Sequence, residues 1–330
     1  MTVSRIEQLK KNAPNDFSKF LVNGAQLKDY KEAQINNDSS LLRYDEWKEI
    51  DDQVLDVVRT RLDAVQDLLD AGLTQDLGGL GTMISEYERQ SDISDADISM
   101  SPQARSDDDT QNFDLTGVPI PIVHKDFSLN IRRLLASRRR GDGLDVSVAN
   151  AASRKVSEAS ESMVVNGADI QFGDYQIYGY MNHPNAIDVD AAGEWSNDIA
   201  NIYPTIQDMV AELNNEGWAG PYTLYVNPNE YEIMRDVYSD GSGDSVLNRI
   251  EDQFPEIDAI KKLHELDESE VVMVQLTSDV IDLAVAETPE SVEWDSPGGF
   301  QVNFKVMAAW APRIKSDYNG KTGVARVTDA

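Results

Sequence analysis

Three short segments carry residues that could do chemistry. Gly320-Lys321-Thr322 has the ending of a phosphate-binding loop, but Lys315 stands where the first glycine belongs and no room for a helix follows. Asp188-Val189-Asp190-Ala191-Ala192-Gly193 starts like an EF-hand loop. Its fifth position is Ala192, and Ile199 replaces the closing glutamate, so a turn is the better reading. The three histidines, His124, His183 and His264, are far apart and have no HExxH or CxxC support. With no cysteine, thiol catalysis and disulfide scaffolds are excluded. No nucleophile, general base, cofactor site or metal set is nominated, and an enzyme would need a dispersed active site.

The local exception to an acidic chain is a cluster of cations. Five of the 16 arginines are Arg132, Arg133, Arg138, Arg139 and Arg140. A guanidinium takes a carboxylate through two parallel hydrogen bonds, so the cluster suits carboxylate partners. Asp107, Asp108 and Asp109 form the densest acidic run nearby. Contacts between subunits and ion pairs within one subunit both fit. Nucleic acid is a poorer partner at high salt, because counterion release then drives binding weakly.

Net charge is −30, from 59 acidic against 29 basic residues, and the acids spread from Asp16 to Asp329. In dilute buffer this charge repels itself and destabilises a compact state. At molar salt the Debye length falls to about 3 Å and the repulsion nearly vanishes. A protein adapted to a salty cytoplasm is the economical reading. The first residues, Met1 to Arg5, lack an apolar core, so no secretory signal is expected. No apolar run approaches the ~18 residues of a membrane span.

Several elements would position these residues. Residues 1–44 hold too little apolar surface to fold alone. From 45 to 72, Trp47, Ile50, Val54, Val57, Val58, Leu62, Val65, Leu68 and Leu69 recur at helical steps, with Gly72 as a stop. Residues 91–112 are rich in Asp and Ser, a long polar loop that makes sense if another chain supports it. Val118 to His124 is an apolar, strand-prone run. A helix over 145–166 puts Val148, Ala152, Val156, Ala159 and Met163 on one stripe and Arg154, Lys155, Glu158 and Glu161 elsewhere, ending at Gly167. Phe172 to Met181 alternates as a strand does. Helices are expected at 205–216, after Asn227-Pro228 through Val237, and after the Ser239–Asp244 turn. Strands are expected at 222–226, 270–276, 280–286, 292–294 and 300–310.

Three stretches carry a family resemblance: Phe127-Ser128-Leu129-Asn130 with Arg140-Gly141-Asp142-Gly143-Leu144-Asp145 and Ala151 to Gly167, then Tyr222 to Tyr231, then Phe300 to Pro312. In order and spacing the chain resembles HK97-type shell proteins, among them tailed-virus major capsid proteins and encapsulins, and is nearest the encapsulin branch. The resemblance implies an α+β fold with an N-arm (1–44), a peripheral-domain helix (45–81) and an E-loop (82–128). It further implies a peripheral domain (129–199) with a spine helix at 145–166, an axial domain (200–287), and closing strands with the C-terminus (288–330). It implies no catalysis and no cofactor. The implied activity is self-assembly, as pentamers and hexamers, into an icosahedral head around double-stranded DNA bound without sequence specificity. Portal, scaffold or decoration proteins are further partners; no membrane is involved. The polar first 44 residues and the charge favour a virus of a halophilic archaeon, assembled in the host cytoplasm. An encapsulin nanocompartment is the alternative. In the founding phage, E-loop lysines crosslink to neighbouring asparagines. No lysine lies between Lys48 and Lys125, so that link is not expected.

Overall fold

The computed structural model describes residues 62–91, 112–130, 146–237, 244–295 and 301–330, with isolated positions between. In chain order, among the described residues, the elements are helix α1 (Ala64–Asp70), strands β1 (Thr74–Asp76), β2 (Ile84–Gln90), β3 (Phe113–Pro119) and β4 (Ile122–Asn130), then helix α2 (Ser147–Asn166). β5 (Ala168–Phe172), β6 (Tyr175–Ile177) and β7 (Ile187–Asp188) precede α3 (Ile202–Asn215), β8 (Tyr222–Val226), α4 (Pro228–Met234) and α5 (Val246–Gln253). β9 (Ile257–Lys262), β10 (Val271–Gln275), β11 (Ile281–Asp295), β12 (Gln301–Ile314) and β13 (Val324–Val327) complete the chain. Two compact units result. The first combines residues up to Ser85 with Pro119–Val165 and Asp282–Pro312; the second combines Glu86–Val118, Asn166–Ile281 and Arg313–Ala330.

The first unit holds a four-stranded sheet in the order β1-β11-β12-β4. β1 runs parallel to β11, Thr74 opposite Leu283, and β4 runs antiparallel to β12, from Asn130 opposite Gln301 to Ile122 opposite Ala309. Phe127 and Phe304 face each other across that ladder with ring centroids 5.0 Å apart. The long helix α2 buries Ala149, Ala152, Val156 and Met163, as its stripe requires, and also three serines and Glu161. The serines satisfy themselves. Ser153 Oγ donates to the Ala149 carbonyl (2.8 Å) and Ser157 Oγ to that of Ser153 (3.1 Å), the usual way a hydroxyl is tolerated inside a helix. Ser160 Oγ accepts the indole N–H of Trp310, buried on β12, at 3.0 Å. Two expectations are corrected here: Ala159 is exposed, and Glu161 is buried.

The helix expected from 45 to 72 is not continuous. Ile50, Val54 and Val57 are helical, but Leu62 and Asp63 interrupt, and α1 restarts at Ala64. Glu161 caps the restart. Its carboxylate takes the N–H groups of Ala64 and Val65, which a continuous helix would give to carbonyls one turn earlier. α1 stops where glycine permits it: Gly72 sits at φ +68, and the Leu73 N–H closes back on the Leu68 carbonyl at 2.9 Å.

The second unit is built on a five-stranded sheet ordered β7-β13-β10-β8-β9. Alternation along its central strands gives two buried faces. Tyr222, Leu224, Val226, Val271, Met273, Ala325 and Val327 join a core with Ile206, Met209, Leu213 and Ile250 from α3 and α5. On the alternate positions, Tyr225 packs 6.1 Å from Tyr180. Asn227 caps α4, accepting the Asn229 N–H at 2.9 Å, and Pro228 occupies the first turn, where its missing N–H costs nothing. The strand expected from Phe172 to Met181 is instead a hairpin, β5–β6, folded at Gly173 with φ +63. The strands expected at 280–286 and 292–294 are one strand, β11. α4 ends at Met234, short of Val237, which makes an isolated bridge to Ser245.

Candidate assembly surfaces

The β2–β3 pair is an isolated two-stranded sheet whose outer positions carry large apolar groups: Phe113 and Leu115 are each more than half exposed. Its stem is held by side chains from β2. The Tyr87 hydroxyl donates to the Ile314 carbonyl at 3.3 Å, and the Arg313 guanidinium lies 5.6 Å from the Tyr87 ring centre. Arg89 pairs with Asp114 across the hairpin at 2.5 Å and reaches Ser316 Oγ at 3.4 Å. Glu86 accepts the Tyr175 hydroxyl at 3.3 Å. Nothing in the sequence pattern singled out these anchors, because each is one polar residue in an ordinary alternating strand.

Of the predicted arginine cluster, Arg132 and Arg139 are exposed at helical positions. Arg133, Arg138 and Arg140, and all of Asp107, Asp108 and Asp109, lie outside the described residues. So do residues 1–49, which include the segment read as an N-arm (1–44).

The segments inspected for chemistry have structural partners. Asp188 pairs with Arg326 Nε at 2.5 Å, and the same guanidinium binds the carbonyls of Met181 and, at 3.5 Å, His183. Arg326 thereby straps the 181–188 segment to β13. Burial, the Arg326 charge and a bond to the Ile314 carbonyl act on His183; burial dominates and holds its imidazole down at about 4. Its Nδ1 accepts the Asn185 N–H at 3.2 Å. Gly320-Lys321-Thr322 closes a tight loop: the Lys321 N–H goes to Asp317 Oδ1 at 2.7 Å, and Thr322 Oγ donates to the Lys315 carbonyl at 3.0 Å. Among the described residues no group of three His, Cys, Asp or Glu could hold a metal ion. Among them, too, no helix is long and apolar enough to cross a membrane.

Residues 36–327 match the model of a family of unknown function, DUF6260. The chain belongs to this family. A member of DUF6260 by that match, it is also similar to the type 1 encapsulin shell protein EncA of Myxococcus xanthus (strain DK1622). The two are 26% identical over 200 residues, which is 60% of this chain and 65% of EncA, so the chain spans slightly under two thirds of that relative. Two solved structures share its architecture. The virus-like particle from Pyrococcus furiosus superposes with a TM-score of 0.59 at 18% identity, covering 85% of this chain and 98% of that one. The capsid of Myoviridae phage XM1 gives a TM-score of 0.63 at 14% identity, covering 79% and 91%. The fold of this DUF6260 protein is therefore the HK97 type, mixed α and β.

Proposed function

We propose that the protein is a self-assembling shell subunit, the major capsid protein of a tailed virus, whose icosahedral head encloses double-stranded DNA at high salt. The observation that carries this reading is likeness over 79–85% of the chain to proteins that form closed particles. In support stand the exposed Phe113 and Leu115 on an anchored hairpin, apolar groups that burial against a neighbour would take out of water. In this reading the regions divide as the resemblance implied: N-arm 1–44 and E-loop 82–128 reach neighbours, the peripheral regions 45–81, 129–199 and 288–330 form the plate, and the axial domain 200–287 closes symmetry axes. The net charge of −30 supports a halophilic host, in whose molar salt the wall neither repels itself nor holds DNA tightly. The carboxylates of Asp107, Asp108 and Asp109 would meet Arg132, Arg133, Arg138, Arg139 and Arg140 of another subunit, pairing within one subunit being the alternative.

A second reading, an encapsulin shell around a cargo protein, is favoured by the sequence match to EncA. Particles purified in molar salt, treated with nuclease and then opened, separate the two. Protected DNA of uniform length is expected for the capsid; a co-purifying second protein and no DNA would mark the encapsulin.

A further inference from the structure

Two exposed faces of this chain are apolar at the centre and opposite in charge. The first is the outer face of the β2–β3 hairpin. The Ser91 N–H donates to the Asn112 carbonyl at 2.9 Å and Arg89 pairs with Asp114, a register that sets Glu88 opposite Leu115, on the face turned away from Arg89. Phe113 and Glu86, each two residues along its own strand, share that face. Phe113 and Leu115 are 60% and 53% exposed, and both glutamates are exposed with them. The second face is helical. Arg132, Leu135, Ala136 and Arg139 are exposed at helical positions, and steps of three, four and seven residues are those of one helix face. Leu135 is 55% exposed, and the two arginines bracket it about 10 Å apart along the axis.

Neither face suits a copy of itself. Two outer hairpin faces would set Glu86 and Glu88 against their like, and two helix faces would do the same with arginines. Each face suits the other. We infer that the outer face of the β2–β3 hairpin docks on the Arg132–Arg139 helix face of a second copy of this chain, Leu115 and Phe113 against Leu135, arginines against Glu86 and Glu88. Molar salt confines the charges to a range of about 3 Å, so burial of the apolar centre carries the contact and the charges decide which faces meet. The Asp107–Asp109 run stands in the sequence between β2 and β3, so it travels with this hairpin. A contact between two unlike faces is head-to-tail, and head-to-tail contacts close into rings when the rotation permits. The inference rests on the shell reading and supplies it with a ring-forming contact.

The chain has no cysteine, so introduced thiols report alone. Leu115→Cys and Leu135→Cys, both at exposed positions that the fold does not need, are made singly and together in the full chain. Each sample is treated with a short bis-maleimide in molar salt and viewed by electron microscopy. The two single variants mixed are expected to give linked dimers, the double variant a ladder of linked oligomers, and each single variant alone only monomer. Linked dimers from one single variant alone would overturn the inference, because a face would then be meeting itself. A double variant linked within one chain, running as a compact monomer, would overturn it as well. Particles without links between the two positions would overturn this contact and leave the shell reading standing. Subunits that form neither particles nor links would sink both.

Discussion

Arg326 offers a prediction whose size can be worked from its contacts. Its side chain is 16% exposed and reaches Asp188, the Met181 carbonyl and, at the limit of bonding distance, the His183 carbonyl. Arg326→Met keeps most of the aliphatic stem and removes every donor. The ion pair counts for little, about 0–1 kcal/mol, because Asp188 is 72% exposed and water takes over its solvation. The Met181 carbonyl is partly buried, and losing a charged donor there costs roughly 1.5–3 kcal/mol. Together the variant should lose about 3 kcal/mol from the second unit, lowering its thermal transition by roughly 6–12 °C. Hydrogen exchange across residues 181–189 should rise with it, since the strap would be released from β13. A second sign follows from charge: without the neighbouring cation, the His183 imidazole should titrate higher, which NMR of its ring protons reads directly. A loss under 1 kcal/mol, with the His183 titration unmoved, would refute the view of Arg326 as the strap.

The same histidine predicts an acid limit. His183 is held from 6.5 down to about 4, so its neutral form is required by the fold; stability should be full above about pH 6.5 and fall by roughly 3 kcal/mol as pH drops toward 4, as urea midpoints at constant salt would record. Salt should act in the opposite sense to ordinary screening of ion pairs: with 59 acids against 29 bases, moving from molar to 0.1 M salt lengthens the Debye length from about 3 to about 10 Å and should lower the melting temperature. Unchanged or higher stability at low salt would contradict the halophilic reading. Replacing Asp107, Asp108 and Asp109 together by lysine should abolish particles while leaving circular dichroism intact; normal particles would exclude an intersubunit role for that run.

Much of the fold was legible because it obeys simple periods. The α2 stripe from Ala152 to Met163, the alternating first half of β12 from Gln301 to Val306 and the Asn227-Pro228 start of α4 follow directly from residue type. What escaped was set by tertiary contact. Ala159 fits the apolar stripe yet faces water, and Glu161 breaks it yet is buried, because backbone N–H groups nearly 100 residues away pair with it. β13 was missed since Val324–Val327 is four residues, too short for a pattern, and becomes a strand only beside β10. The Tyr87 and Arg89 anchors have no periodic signature at all, and the arginine cluster was visible by composition without revealing what it meets.

The central claim, that the chain builds a closed shell, is most directly tested by electron microscopy of the purified protein kept in molar salt throughout. The account predicts icosahedral particles, or pentamers and hexamers that close into them as concentration rises. A population of folded monomers and dimers only, under conditions where the far-ultraviolet spectrum shows the mixed α and β structure intact, would contradict it.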